Sequence, residues 1–290
     1  MNIILNEKKE AERIIKDGNF DMPAIAAINL IARYWHQVEG VRDQELHDRI
    51  NEFMRQHMPN YNQISWHNAV AKQVARADQY KLCEIDCVSI TEKELEVIGT
   101  LGGQRLERVA FTLLCLAKYY NARNPNNNNW CNQDAKVIFS LSCTNVTISV
   151  QDQILHELMK RGLIEFSNKV SNTNIRVLFI DDQSEQAMTV DDFRKLGYEY
   201  EYWRTGGFYR CASCGILTKK PKKYTRKYCP LCAGYTPQKV KTVTCADCGC
   251  AFTVSGSNKR TYRCPSCQKK AQDRAKQLYE LTRRKPRPKN

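Results

Sequence analysis

Two stretches of the chain, CASCGILTKKPKKYTRKYCPLC (residues 211–232) and CADCGCAFTVSGSNKRTYRCPSC (residues 245–267), hold eight of its 14 cysteines as four pairs. Two residues separate the cysteines of each pair, 14 separate the two pairs of the first stretch, and 15 separate those of the second. Two intervening residues let a tight turn direct both sulfur atoms at one ion, and the longer segment lets a hairpin return the second pair. The spacing predicts two tetrahedral four-thiolate sites.

This pattern resembles two consecutive zinc ribbons, a class found in transcription, replication, ribosome-associated and mobile-element proteins. Gly215 and Gly249 follow the first pair of each stretch, where the turn needs a positive φ. A disulfide framework is the alternative, which four pairs with this short spacing disfavour. The two expected Zn²⁺ ions would be structural, because a fully thiolate-coordinated ion keeps no open position for a substrate. Their predicted ligands are Cys211, Cys214, Cys229, Cys232, Cys245, Cys248, Cys264 and Cys267.

Six cysteines remain outside the predicted sites: Cys83, Cys87, Cys115, Cys131, Cys143 and Cys250. We expect them to be buried as small apolar residues. Cys250 could replace a neighbouring ligand, but the sequence pattern does not favour this alternative. The 290-residue chain is long enough for two or three compact units. It has no apolar run near 18 residues and no secretion-signal pattern, so we expect a cytoplasmic protein without membrane contact.

The positive charge is concentrated at one end of the chain. Residues 206–290 contain 21 Lys and Arg against three acids, a net charge of +18, whereas residues 1–205 carry a net charge of −4. A basic block of this size suits a polyanion, above all nucleic acid, through phosphate contacts and counterion release. The alternative is a solvated surface that only improves solubility.

The first two-thirds of the sequence is mainly helical by periodicity. Helices are predicted over 7–17, 23–38, 43–57 and 65–78, followed by an extended run over 82–90 and a capping box at Thr91. Ala-Arg-Tyr-Trp (32–35) returns as Ala-Lys-Tyr-Tyr (117–120), and the segment 79–85 is echoed by 160–166. These short matches indicate a duplication of about eighty residues, with chance similarity as the alternative. We therefore predict a helical domain over 1–90 and a second domain over 91–181.

The second domain resembles a winged helix-turn-helix in layout. Helices over 106–121, 134–141 and 149–161, the last capped by Ser149, are followed by extended segments over 163–167 and 175–180. The resemblance covers residues 104–181 and implies that the third helix reads the major groove while the hairpin touches the backbone or the minor groove. The residues carried over are Gln151, Gln153, Lys160 and Arg161 on that helix, and Lys169 and Arg176 on the hairpin. Asp152 and Glu157 on the same helix keep protein docking open as the alternative.

The predicted fold is thus mainly α with small β: one or two winged-helix units, then two zinc ribbons over 208–236 and 240–270, then a basic helix and tail over 271–290. An acidic linker with an aromatic cluster occupies 182–207, and we favour a domain-sealing role for its aromatic residues over stacking on bases. Basic residues predicted to contact nucleic acid from the C-terminal modules are Lys219, Lys220, Lys222, Lys223, Arg226, Lys227, Lys259, Arg260, Arg263, Lys269, Lys270 and Arg274.

Nothing in the sequence predicts catalysis. All five histidines precede the cysteine pairs, which excludes the arrangement of an HNH nuclease, and no Walker loop or Gly-x-Ser-x-Gly motif is present. We therefore predict a non-enzymatic binder of nucleic acid, with duplex DNA favoured and no small-molecule substrate. Transcription regulation and replication initiation both fit, and tandem winged helices are familiar in phage and plasmid initiators. The alternative is an inhibitor or accessory factor that docks on a nucleic-acid machine such as a polymerase or an RNA-guided nuclease.

Overall fold

The computed structural model describes residues 3–19, 22–167, 174–221, 225–234, 240–255 and 263–283. The chain divides into two compact units, Met1–Cys229 and Pro230–Asn290. About half of it is helical, and the strands form small antiparallel sheets, so the prediction of a mainly α fold with small β is confirmed. No helix of the described segments is long and apolar enough to cross a membrane.

The N-terminal part of the first unit contains four helices. They are α1 (Glu7–Asp17), α2 (Ala24–Gln37), α3 (Asp43–His57) and α4 (Gln63–Val74). One core forms between them from the apolar faces that the periodicity predicts, including Ile14, Ile31 and Ile50. Arg33 of α2 is nearly buried, and its guanidinium lies 2.7 Å from a carboxylate oxygen of Glu7. This pair joins α2 to the start of α1.

The next elements of the first unit contribute to a second core. They are β1 (Val88–Thr91), α5 (Glu92–Gly99), α6 (Gln104–Arg123), β2 (Trp130–Cys131), α7 (Ala135–Leu141), α8 (Ile148–Lys160), β3 (Ile164–Phe166) and β4 (Ile175–Val177). The predicted capping box at Thr91 is confirmed by reciprocal hydrogen bonds with Glu94. The predicted cap of α8 is wrong, because Thr147 and not Ser149 occupies the N-cap position. The last three strands form an antiparallel sheet in the order β2-β4-β3.

Each helical half contains a largely buried ion pair between its first and second helices. Lys118 of α6 lies 2.9 Å from Glu94 in α5, as Arg33 of α2 lies close to Glu7 in α1. The halves differ after their fourth helices. β3 and β4 form a hairpin, whereas the described residues before β1 contribute a single bridge between Asn6 and Glu84. The extended run predicted over 82–90 is therefore only partly right, and the first half lacks a described hairpin.

The predicted acidic linker over 182–207 is a packed part of the first unit. It contains β5 (Gln186–Val190), which pairs with β1, and α9 (Leu196–Thr205). Phe193 and Tyr200 are buried in the same core as α6. Two acids of α9 are buried against arginines: Glu199 lies 3.0 Å from Arg210, and Glu201 lies 2.9 Å from Arg108.

The remaining elements surround the cysteine pairs. The first unit ends with the hairpin β6 (Phe208–Arg210) and β7 (Leu217–Lys219). The second unit contains the hairpin β8 (Val240–Thr244) and β9 (Ala251–Ser255), followed by the helix α10 (Pro265–Arg283). Both hairpins are antiparallel. Each one presents a Cys-x2-Cys turn between its strands.

Candidate metal centres and the basic residues beside them

The first cysteine cluster consists of Cys211, Cys214, Cys229 and Cys232, whose sulfur atoms all lie within 4.8 Å of one another. Gly215 has a φ of +70°, and its N–H donates to the Cys211 carbonyl at 2.9 Å, which closes the turn as the sequence predicts. The Cys211 N–H donates to the Ile216 carbonyl across the hairpin. The backbone thus fixes the first pair, and the Cys229 N–H donates to the Cys211 sulfur at 3.2 Å.

The second cysteine cluster consists of Cys245, Cys248, Cys264 and Cys267, and its sulfur atoms also lie within 4.8 Å of one another. Its turn repeats the first one. Gly249 has a φ of +69°, its N–H donates to the Cys245 carbonyl at 2.9 Å, and the Cys264 N–H donates to the Cys245 sulfur at 3.2 Å. The helix α10 begins immediately after Cys264, so Cys267 lies in its first turn.

The sulfur spacing fits a tetrahedral ion in both clusters. Zinc–sulfur bonds of about 2.3 Å place the corners of a regular tetrahedron about 3.8 Å apart. The Cys214 and Cys229 sulfurs are 3.7 Å apart, and so are those of Cys248 and Cys264. Two four-cysteine groups with this geometry suggest two zinc-type sites, as the sequence predicts.

The protein lowers the pKa of Cys211 in the first cluster and the pKa values of Cys245 and Cys264 in the second, which favours their ionised forms. Burial opposes ionisation of Cys211, but hydrogen bonds from the N–H groups of Cys229, Cys214 and Ser213 outweigh it and lower its pKa to about 6. At Cys264 the Ser266 hydroxyl and the Cys267 N–H lower the pKa to about 5. Thiolates are the form that binds zinc, so these contacts favour metal binding near neutral pH.

Arg194 contacts the first cluster without being one of its candidate ligands. The sequence analysis does not predict this contact. Its guanidinium donates to the Cys214 carbonyl at 2.8 Å and is held by the Asp192 carboxylate at 2.7 Å. An arginine 20 residues before a cysteine carries no sequence signal of this contact. Arg194 thereby ties the turn to the segment between β5 and α9.

The basic residues predicted around the clusters are exposed where the structure describes them, apart from the half-buried Arg226. Arg263 is paired with Asp247 at 2.8 Å, and the Lys220 ammonium donates to the Gly206 carbonyl at 3.2 Å. The other exposed members are Lys219, Lys227, Lys269, Lys270 and Arg274. Five further predicted contacts lie outside the described residues: Lys169, Lys222, Lys223, Lys259 and Arg260.

The predicted recognition helix, α8, presents a mixed surface. Gln153 and Lys160 lie on the outer face of this helix together with Asp152 and Glu157. Arg161 is held by Glu157 and by the Leu101 carbonyl at 3.0 Å.

Two other predicted nucleic-acid contacts near α8 also have intramolecular partners. Gln151 donates to the Val146 carbonyl at 3.3 Å. Arg176 contacts the Glu165 carboxylate at 3.0 Å and the Asn128 side chain at 2.9 Å. Both arginines of the predicted interface, Arg161 and Arg176, are thus engaged within the protein.

Comparison of the chain with protein-family models, with curated proteins and with solved structures gave no match.

Proposed function

We propose that this protein is a non-enzymatic, zinc-stabilised nucleic-acid-binding protein that acts in the cytoplasm and favours duplex DNA. The observation that carries the proposal is the coincidence of both cysteine clusters with the basic block of residues 206–290, net charge +18. Two zinc ions with four thiolates each contribute about −4, so about +14 remains on the loaded segment. Small metal-fixed hairpins that expose lysines suit the phosphate backbone.

The second helical half supports the choice of duplex DNA. Its elements follow the order helix α6, strand β2, helices α7 and α8, then the hairpin β3 and β4, with the sheet order β2-β4-β3. This order and pairing support the proposed winged helix, a fold that commonly places its third helix in the major groove. In this proposal the winged helix provides orientation on the duplex, and the basic C-terminal segment provides most of the affinity. Regulation of transcription and initiation of replication are both consistent with such a binder.

The test is fluorescence anisotropy of the zinc-loaded full chain with duplex DNA, single-stranded DNA and RNA at near-physiological salt. The proposal predicts binding that persists at this salt and is tightest for the duplex. Random-sequence duplex would reveal the phosphate-driven component, and site selection would then identify a preferred sequence. Absence of binding to all three at this salt would contradict the proposal.

The surface of α8 favours a second candidate function, that of an interaction protein. Asp152 and Glu157 lie beside Lys160 on this helix, and such a mixed-charge surface suits a protein partner better than a phosphate backbone. The partner would be a component of a nucleic-acid machine, with the basic segment touching the same nucleic acid. Charge reversal of Lys160 to Glu distinguishes the two candidates. It should weaken duplex binding if α8 enters the groove of DNA and leave it unchanged if α8 docks on protein.

A further inference from the structure

The two cysteine turns, residues 211–216 and 245–250, have the same residue type at every position except two, where Ser213 corresponds to Asp247 and Ile216 to Cys250. Cys211, Cys214 and Gly215 correspond to Cys245, Cys248 and Gly249, with the same hydrogen bonds. The next residue is Ile216 in the first turn and Cys250 in the second, and its carbonyl accepts from the first cysteine of the turn in both. The second cluster therefore has a fifth thiol at a position where the first has a hydrocarbon side chain.

The Cys250 thiol is in direct contact with one of the predicted ligands. Its sulfur lies 3.3 Å from that of Cys248. Gly249, with its φ of +69°, reverses the chain between Cys248 and Cys250. That reversal explains how two cysteines separated by one residue present their sulfurs to the same place.

The distance between these two sulfurs indicates competition for one coordination position. Neighbouring corners of a zinc–thiolate tetrahedron lie about 3.8 Å apart, whereas Cys248 and Cys250 are 3.3 Å apart. They therefore do not occupy two corners of one tetrahedron. Both residues are exposed, so neither sulfur is locked in place by surrounding side chains.

We propose that Cys250 is an alternative ligand of the second metal centre and takes the corner of Cys248 when that ligand is withdrawn. The zinc–sulfur bond of Cys248 breaks while that of Cys250 forms, and the thiol proton of Cys250 passes to the departing Cys248 sulfur. The total charge of the centre is unchanged by this exchange. The inference rests on the zinc binding proposed above.

The test compares zinc content and Co²⁺ charge-transfer spectra of single-site variants of the full chain. Wild type should bind two ions. Cys214→Ser should lose the ion of the first cluster, because the Ile216 side chain cannot replace the missing ligand. Cys248→Ser should keep two ions and a four-thiolate Co²⁺ spectrum. Cys248→Ser combined with Cys250→Ser should retain one ion. Circular dichroism shows in each case whether the helical part is folded.

A transplant of the spare thiol provides an independent test that does not require mutation of the second cluster. Cys214→Ser combined with Ile216→Cys should recover the ion that Cys214→Ser alone loses. Equal loss of one ion in Cys214→Ser and Cys248→Ser, with no recovery on transplant, would overturn the alternative ligand while leaving the two zinc sites intact. A wild-type content below two ions would instead overturn the proposed zinc sites themselves.

Discussion

Lys118 and Glu94 form a buried ion pair inside the first unit, where each charge stabilises the other. Glu94 is fully buried and Lys118 nearly so, and their charged groups are 2.9 Å apart. Lys118 also donates to the Ser89 carbonyl, and Glu94 accepts from the Asp181 N–H. Removing one member of such a pair leaves a buried charge without its counterion, which costs more than the pair itself contributes.

Lys118→Met should therefore lower the free energy of unfolding by about 3 kcal/mol. Lys9→Met is the matched control, because Lys9 and its partner Asp86 are both exposed and their charged atoms lie 2.7 Å apart. An exposed pair of this kind contributes little to the free energy of unfolding. Chemical denaturation of both variants measures the difference. Equal losses of unfolding free energy in the two variants would show that the buried pair contributes no more than the exposed one.

Glu199 makes stability depend on pH. Burial raises its pKa to about 7 from the ordinary value of 4.5, against the opposing effect of the Arg210 guanidinium. Because the folded-state pKa is the higher one, the contribution of Glu199 is complete below pH 4.5 and is lost as pH rises through 7. Between pH 5 and 8 the free energy of unfolding of the wild type should fall by roughly 2–3 kcal/mol relative to that of Glu199→Gln.

Denaturation of both proteins at several pH values checks this dependence on Glu199. Glu96→Gln, at an exposed position of α5, is the control and should follow the wild type at every pH. A constant difference between the wild type and Glu199→Gln from pH 5 to 8 would contradict the raised pKa.

For single residues, the sequence predicts backbone conformations that are set by neighbouring residues. It does not predict side-chain contacts between segments that are distant in the sequence. The positive φ of Gly215 and Gly249 follows from the cysteine turns and could be predicted. The contacts of Arg194 and Glu199 could not, because they depend on segments brought together by the fold. The proximity of Cys250 to Cys248 is local, and the matching of the two turns could have revealed it.

Among the elements, α9 departs most from the sequence-based expectation. Its apolar residues are interrupted by acids, which in isolation indicate a solvated linker, and only the arginines of other elements make their burial favourable. The pairing of β1 with β5 joins segments about one hundred residues apart, which periodicity cannot predict. In contrast, the bounds of α1 and α3 match the prediction, since their amphipathic pattern and their ends are local signals.

The packing of α9 is tested at Gly197. A Cβ atom there would lie 1.9 Å from the Ser142 carbonyl oxygen and 2.9 Å from the Arg108 side chain. Gly197→Ala should therefore displace α9 and lower the free energy of unfolding by about 2–3 kcal/mol. Gly99→Ala is the control, since its Cβ would meet nothing within 4 Å, and we expect little change or a slight gain. Similar stability of both variants would mean that α9 does not pack as described.

The first cysteine cluster should act as a separate stabilised element. Cys229→Ser combined with Cys232→Ser should release one zinc ion per chain and unfold the hairpin β6 and β7, while helices α1 to α8 keep a cooperative thermal transition. Zinc content and circular dichroism measure the two effects. Cys87→Ser, an exposed cysteine outside both clusters, should change neither. Loss of the entire helical signal in the double variant would contradict this division.

For the whole molecule, the uneven distribution of charge is the feature that can be predicted most completely from the sequence. The +18 of residues 206–290 and the −4 of residues 1–205 require no structure to count. The structure adds which of the basic side chains are exposed beside the metal clusters and which, such as Arg161 and Arg176, are engaged within the protein. The basic C-terminal segment, rather than α8, is accordingly the principal source of affinity in our account.

The most direct test of this account is the salt dependence of duplex DNA binding by two triple variants with the same change in charge. One replaces Lys219, Lys220 and Lys227 with Ala, and the control replaces the exposed Lys16, Lys72 and Lys136 of the helical part. If the lysines beside the first cluster contact phosphates, the slope of log K against log salt should become shallower by up to about 3 in the first variant and stay unchanged in the control. Equal slopes for wild type and both variants would contradict the central claim that the zinc-fixed basic segment binds nucleic acid.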